Sequence, residues 1–168
     1  AAKGSLDDIL ASEDVRLSWD FKDSIIKDIA RGMQFIAKSH IHSHGRLKSS
    51  NCIIDNRWTV KLTDFGLPLV RLGVEKDVEN FNMDTQSGAL LWTAPELLKL
   101  GAKTIDAVGS GTQAGDVYSF GILMNEVMTR ETPYSESGLS AEEILSLIAS
   151  SQGAPGAGKA WTLPKSMD

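Results

Sequence analysis

The sequence has a single cysteine, Cys52, among its 168 residues, so no disulfide can form within the chain. A small buried side chain in an apolar run is the expected role of Cys52, and this usage fits a reducing compartment. Basic residues are also scarce: 17 Lys and Arg against 22 Asp and Glu give a net charge of −5, which disfavours nucleic acid as the main partner. No apolar run approaches the roughly 20 residues that span a bilayer, and the N-terminus has no signal-peptide pattern. The sequence therefore predicts a soluble segment, and its length predicts one domain or a large piece of one.

Helical patterns dominate what is present. Residues 5–10 (SLDDIL) predict a short helix, and a long one begins near Ser18, a good N-cap, and ends near Ser39. A third helix is predicted from Asp116 to Thr129, and a fourth at SAEEILSLIAS, where Ser140 and Glu143 have capping-box spacing. The apolar positions of these helices are expected in the core or at partly buried surface. In the long helix they are Phe21, Ile25, Ile29, Met33 and Ile36; in the third they are Val117, Phe120, Met124, Val127 and Met128.

Two short β-branched runs, Cys52–Ile54 and Trp58–Leu62, flank Asp55-Asn56-Arg57 and predict a β-hairpin. Residues 67–91 show no firm period and predict a long surface loop, which at that length is usually functional. The Gly- and Pro-rich tail after residue 150 also predicts loop. The fold class is therefore α+β, mostly helical, with one small hairpin.

Four motifs follow one another in a fixed order along the chain. They are HGRLKSSN at residues 44–51, DFG at 64–66, APE at 94–96 and DVYSFG at 116–121. Together they resemble the catalytic loop, metal-binding triplet, APE triplet and central helix of a protein-kinase C-terminal lobe. The resemblance implies that residues 1–168 form a partial kinase-like domain, without the N-terminal lobe and the last helices. Such a piece is expected to be catalytically inactive, to expose apolar surface and to be marginally stable.

Within that resemblance, five residues are assigned to the scaffold. His44 and Phe65 are expected to stack in the core, and Asp116 is expected to brace the backbone of the catalytic loop. Gly66 completes the DFG triplet, and Glu96 is the residue that kinases normally pair with an Arg from the last helices.

Two departures from the kinase pattern change the expected activity. Arg46 occupies the position of the catalytic Asp, and a guanidinium offers only donors and cannot act as a base. Loss of a positioned general base costs roughly 10²- to 10⁴-fold in rate. Gly45 replaces the Arg that commonly grips a phosphorylated activation loop. The sequence therefore resembles a pseudokinase.

The metal and phosphate side of the pattern is kept. Asn51 and Asp64 match the two magnesium ligands, and Lys48 matches the lysine that reaches the transferred phosphate. Two roles are open for Arg46: it is an inert replacement of the Asp, or its guanidinium beside Lys48 offsets the charge of ATP phosphates. The expected cofactor is ATP with Mg²⁺. Outside this context, Asn and Asp beside a turn more often cap backbone groups.

A narrower resemblance covers almost the entire chain. HGRLKSSNC, with Gly45 and Arg46 together, and LWTAPELL are similar to the kinase-homology domain of receptor guanylate cyclases. That family implies a homodimeric single-pass receptor, with this module at the cytoplasmic face of the plasma membrane. There it would bind ATP and relay signals, through a dimerisation helix, to a cyclase domain that converts GTP to cGMP and diphosphate. Two alternatives are a scaffold pseudokinase of another receptor, and an active kinase with an unusual base, for which Asp55 and Asp106 are the nearby carboxylates.

Overall fold

The computed structural model describes residues 3–65, 87–99 and 111–150. In these ranges the fold combines α-helices with a small antiparallel sheet, and residues 87–89 add a short helical segment. The helices are α1 (Leu6–Ala11), α2 (Trp19–Lys38), α3 (Pro95–Lys99), α4 (Gln113–Thr129) and α5 (Ala141–Ala149); the strands are β1 (Gly4–Ser5), β2 (Cys52–Ile54) and β3 (Val60–Leu62). Single 3₁₀ turns lie at Ser49–Asn51 and Ser135–Ser137. The mostly helical α+β class is confirmed.

Helix starts follow the capping residues that the sequence offers. Ser18 accepts a hydrogen bond from the Phe21 N–H at the start of α2. Ser140 and Glu143 form the predicted capping box at α5, and Ser5 forms a similar one with Asp8 at α1. Each side-chain oxygen satisfies an N–H that the first helical turn leaves without a partner.

The sheet differs from the predicted hairpin in two ways. It has three strands in the order β1-β2-β3, because Gly4 and Ser5 pair with Ile54 and Ile53. The last strand is also shorter than predicted, since Trp58 lies in the turn with φ 62° and pairing begins at Val60. Two Asp55 Oδ1 contacts, from the N–H groups of Arg57 and Thr59, hold that turn together.

The core is built mainly where α1, α2 and α4 meet the sheet. Its fully buried side chains include those of Leu6, Ile25, Ile29, Leu47, Cys52, Ile54, Leu123 and Val127. A second cluster joins Leu90 and Leu98 to Ile144 and Ile148 of α5. Burial of Cys52 raises the pKa of its thiol to about 12, so this cysteine is an inert core residue, as predicted.

Helix α4 corrects the expected apolar face. The helix itself is confirmed, although it begins one turn earlier than predicted, with Thr112 as its N-cap. Val127 is buried, but Val117, expected in the core or at partly buried surface, is 64% exposed. Three of the buried positions carry the polar side chains of Asp116, Ser119 and Glu126 instead. The buried face of α4 is therefore partly polar.

The predicted loop at 67–91 falls mostly outside the described residues, as does the predicted tail after residue 150. Residues 87–91 of the predicted loop are described, and Leu90 is buried there, so the surface-loop prediction is wrong at that end. No helix in the described ranges is long and apolar enough to cross a membrane.

Candidate nucleotide site

The segment from Ser43 to Asn51, here called the site loop, is held at its start by one carboxylate. Asp116, in the first turn of α4, accepts hydrogen bonds from the backbone N–H groups of His44 (2.7 Å) and Gly45 (2.8 Å). The Ser43 hydroxyl donates to the same carboxylate at 3.1 Å. Hydrogen bonds to a charged acceptor are the stronger kind. Asp116 therefore contacts the site-loop backbone as the sequence analysis expected of it.

Gly45 has a structural reason to be glycine. Its φ is 76°, in the left-handed region where a side chain is disfavoured. It also lies against Gly111, whose φ is 74°; a Cβ on Gly111 would come within 2.4 Å of the Gly45 Cα. The two glycines thus allow the site loop and the segment leading into α4 to touch backbone to backbone. Glycine at position 45, where the kinase pattern has an arginine, therefore fits this close backbone contact.

His44 is a buried, neutral member of the site loop. Burial lowers the pKa of its imidazole, although the charge of Asp116 acts in the opposite direction. Its Nδ1 accepts the Arg46 backbone N–H at 3.3 Å, and its ring meets Phe65 edge-on with 6.1 Å between centroids. Its Nε2 has no hydrogen-bond partner among the described residues. His44 and Phe65 are thus in contact, as expected of the scaffold pair.

Asn51 ties the end of the site loop to its middle. It is buried, and its Nδ2 donates to the Arg46 carbonyl at 2.8 Å, while its own carbonyl accepts the Thr63 N–H at 2.9 Å. The amide nitrogen thus serves the loop, so Oδ1 is the Asn51 side-chain atom that could bind a hard cation. The capping role and the ligand role are therefore compatible in one side chain.

Three of the predicted charged residues lie close enough to influence one another. Burial lowers the pKa of Lys48, and the positive charge of Arg46 lowers it further. The carboxylates of Asp64 and Asp7 oppose this effect. The sequence predicted Arg46, Lys48 and Asp64 as one site, and the fold gathers them, with Asp7 of α1 as a fourth charge that sequence reasoning missed.

Asp64 has an uncommon backbone conformation. Its φ is 60°, and its side chain is exposed. Non-glycine residues in this region are uncommon and cluster at functional sites, although Asp tolerates it better than most. If it bound a metal together with Asn51 Oδ1, its carboxylate would give an all-oxygen donor set of the kind that Mg²⁺ accepts when phosphate completes the coordination shell. The described residues contain no group of three or more His, Cys, Asp or Glu that could hold a metal alone.

An open cleft borders the site loop. Its lining includes Arg46, Lys48, Leu90, Trp92 and Thr93, together with the Asp116 side of α4. Asn51 and Asp64 do not line it. Of the four residues predicted to bind nucleotide, the cleft therefore includes the two cations only.

Two α4 residues that sequence reasoning missed also organise this region. The Ser119 hydroxyl donates to the Trp92 carbonyl at 2.7 Å. Glu126 accepts hydrogen bonds from the Ser49 hydroxyl (2.7 Å) and from the Trp92 indole N–H (3.1 Å). The sequence offers one signal for this polar face, because Asp116, Ser119 and Glu126 recur at helical spacing in a mostly apolar helix; it does not name their partners.

The remaining assigned scaffold residues add less. Glu96 is exposed in the first turn of α3. Burial raises the pKa of Tyr118, and the charge of Glu96 adds to this effect. Gly66 lies outside the described residues. The nucleotide and metal roles assigned to Lys48, Asn51, Asp64 and Arg46 stay predictions.

Comparisons with known proteins agree with the motifs. The family model for protein tyrosine and serine/threonine kinases matches residues 1–162. Over 89% of its length the chain is 45% identical to guanylate cyclase 2D of Rattus norvegicus and 43% identical to atrial natriuretic peptide receptor 2 of Anguilla japonica. Over 92% of its length it is 39% identical to the resact receptor of Arbacia punctulata. The matched regions are 13%, 14% and 15% of these relatives, so the chain spans about one seventh of their length.

Proposed function

Since the chain belongs to the protein tyrosine and serine/threonine kinase family, and resembles the kinase-homology domain of receptor guanylate cyclases over most of its length, we propose that it is a regulatory pseudokinase segment that binds Mg-ATP without transferring phosphate. The carrying observation is the placement of Arg46. It occupies the base position, yet it shares a charge cluster with Lys48 and Asp64. The site has lost its proton acceptor while keeping its phosphate-directed groups.

The atypical-kinase alternative needs another carboxylate as the base. Asp55 sits in the β2–β3 turn, where the N–H groups of Thr59 and Arg57 occupy its Oδ1. Those contacts lower the pKa of Asp55, and a weaker base is a poorer proton acceptor. Asp106 lies outside the described residues. The pseudokinase proposal is therefore preferred.

Nucleotide recognition would follow from chemistry that the chain already holds. Arg46 and Lys48 would meet phosphate oxygens, and the carboxylate of Asp64 with Oδ1 of Asn51 would bind Mg²⁺. The bound magnesium would neutralise phosphate charge. The residues of this chain would orient the nucleotide, without a group at position 46 to remove a proton from an attacking hydroxyl.

The receptor setting is also a proposal. The names of the relatives identify guanylate cyclases and peptide receptors, and this chain would act as one module of such a protein. We infer a homodimeric membrane receptor whose cytoplasmic face carries the module, and whose cyclase domain responds to ATP bound here. A ligand that binds one conformation of the module more tightly than another shifts the equilibrium between them, which provides a physical route for the relay.

The test uses the full-length receptor in membranes. Cyclase activity with saturating agonist is measured against Mg-ATP concentration, using GTP as substrate and a photoreactive ATP analogue to report occupancy at the module. Asp64→Ala is expected to abolish labelling and the ATP-dependent part of the activity, whereas Asp14→Ala, at an exposed carboxylate in the α1–α2 connection, should change neither. Intact labelling in Asp64→Ala would contradict the assigned site.

Arg46→Asp separates the two readings of Arg46. The new anion about 4 Å from a phosphate costs on the order of 1–4 kcal/mol for dielectrics between water and a protein surface. ATP should therefore bind at least fivefold more weakly, and phosphate transfer to a generic peptide should remain undetectable. Unchanged ATP affinity would make Arg46 an inert replacement. Robust phosphate transfer by the immunoprecipitated wild-type receptor would overturn the pseudokinase proposal. Regulation of the cyclase without nucleotide labelling would favour the scaffold alternative.

A further inference from the structure

Glu126 is a buried carboxylate that joins three parts of the chain. It lies on α4 with 3% of its surface exposed. One carboxylate oxygen accepts the Ser49 hydroxyl proton at 2.7 Å, and the other accepts the Trp92 indole N–H at 3.1 Å. Ser49 belongs to the site loop, and Trp92 lies in the segment that leads into α3. Both donors are neutral, so neither forms an ion pair with the carboxylate.

The surroundings of Glu126 disfavour its charge. Burial raises the pKa of the carboxyl group to about 7, and the hydrogen bonds from Ser49 and Trp92 only partly oppose this effect. The titratable groups that face it are Asp7 from α1, whose negative charge raises the pKa further, and the Cys52 thiol from β2. The thiol stays neutral because its own pKa is raised to about 12. Asp7 is also one of the charges that act on Lys48, so the two sites share an electrostatic neighbour.

We propose that Glu126 is a positioning residue that binds and releases a proton, and that this proton changes how α4 holds the site loop. In the charged state, Glu126 accepts from both Ser49 and Trp92. In the neutral state, one oxygen carries a proton. Since the indole N–H is only a donor, that proton must go to the Ser49 oxygen. The Ser49 hydroxyl then has to turn its own proton toward a different acceptor.

The consequence for the site follows from the position of Ser49. It begins the 3₁₀ turn Ser49–Asn51, immediately after Lys48. A reorganised Ser49 hydroxyl therefore acts on the turn that follows the phosphate candidate Lys48 and contains the metal candidate Asn51. This functional consequence rests on the proposed nucleotide site, but the proton event itself does not. The two are separable, because the proton event can be measured without any nucleotide.

The experiment follows the Trp92 indole ¹⁵N–H signal of the 168-residue chain by NMR between pH 5 and 9. Trp92→Phe assigns the signal. We expect one titration with a midpoint near 7, and its loss in Glu126→Gln. This variant keeps the shape of the side chain and one acceptor oxygen for the Trp92 N–H, presents an NH₂ group to the Ser49 oxygen, and cannot titrate. Glu142→Gln, at an exposed glutamate in the first turn of α5, is the matched control and should leave the curve unchanged.

Ser49→Ala gives a second reading that does not depend on the folding of Glu126→Gln. It removes a donor that favours the charged carboxylate, so the Trp92 midpoint should move to higher pH. A Trp92 signal that does not titrate, or a midpoint that Ser49→Ala leaves in place, would overturn the proposal. Persistence of the titration in Glu126→Gln would do the same, because the titrating group would then lie elsewhere. The ATP labelling of the full-length receptor tests the nucleotide consequence separately: a proton event without ATP labelling would refute only the proposed function.

Discussion

The Asp116 contacts predict a large stability effect when one carboxylate oxygen is exchanged for an NH₂ group. In Asp116→Asn the side chain keeps its shape but presents an NH₂ group where the carboxylate accepted protons. Of its three donors, Ser43 and the His44 N–H are buried, while Gly45 is half-buried and can turn to water. Hydrogen bonds to a charged group contribute about 1.5–3 kcal/mol each, and a buried donor left unsatisfied costs about 1–3 kcal/mol. We expect the free energy of unfolding to fall by about 2–4 kcal/mol.

Asp20→Asn is the matched control because Asp20 also lies in the first turn of a helix, but on the surface. It should lose only the interaction with the helix dipole, about 0.3–1 kcal/mol. Urea unfolding at pH 7, followed by tryptophan fluorescence, gives both free energies, and equal m-values show that the same surface unfolds. Hydrogen exchange at the His44 and Gly45 amides should accelerate in Asp116→Asn alone. If Asp116→Asn costs no more than Asp20→Asn, the site loop is not held by this carboxylate.

Three further predictions concern the packing around the site. The Arg130 guanidinium donates to carbonyls at and beyond the end of α1. Arg130→Lys should therefore lower the free energy of unfolding in urea by about 1–3 kcal/mol. An unchanged free energy would show that one ammonium suffices. Gly111→Ala forces a Cβ to within 2.4 Å of the Gly45 Cα and should destabilise, whereas Gly121→Ala, in α4 with open space around it, should stabilise by about 0.5–1 kcal/mol; the same thermal shift in both variants would refute the contact. Glu126 has a folded pKa raised from 4.5 to about 7. Its protonated form therefore contributes stability that is fully present below pH 4.5 and is lost as the pH rises through 7. Glu126→Gln should remove a decline of about 3 kcal/mol from the curve of unfolding free energy against pH, and parallel curves for wild type and variant would contradict this prediction.

Local signals carried most of the helix predictions. Ser18 and the Ser140–Glu143 pair act within a single turn, so their effect is readable from neighbouring residues alone. The two-residue strand β1 offered no alternating pattern, because Gly4 and Ser5 are recruited by pairing with the edge of β2. A strand of that length is fixed by its partner and by nothing in its own residues.

The face of α4 could not be read from apolar periodicity for a different reason. Apolar residues occur around much of this helix, so they do not single out one direction. The buried direction is chosen by hydrogen bonds to distant segments: Asp116 reaches the site loop, Ser119 reaches Trp92, and Glu126 reaches both. Those contacts span 27 to 77 residues in sequence, and only the fold shows them. Val117 is exposed because it lies away from this polar face.

The same contacts explain how the loop can keep its shape after losing a catalytic carboxylate. Two contacts near position 46 are made to its main chain: His44 Nδ1 accepts the Arg46 N–H, and Asn51 Nδ2 donates to the Arg46 carbonyl. Asp116 likewise binds backbone N–H groups before it. None of these bonds depends on which side chain stands at position 46, so an aspartate and an arginine can occupy the same loop. It follows that Arg46→Asp should keep these backbone bonds, and hydrogen exchange at the amides of residues 44 to 46 should stay at the wild-type rate. A change in ATP affinity would then report charge at the phosphates, whereas faster exchange at these amides would show that the guanidinium itself shapes the loop.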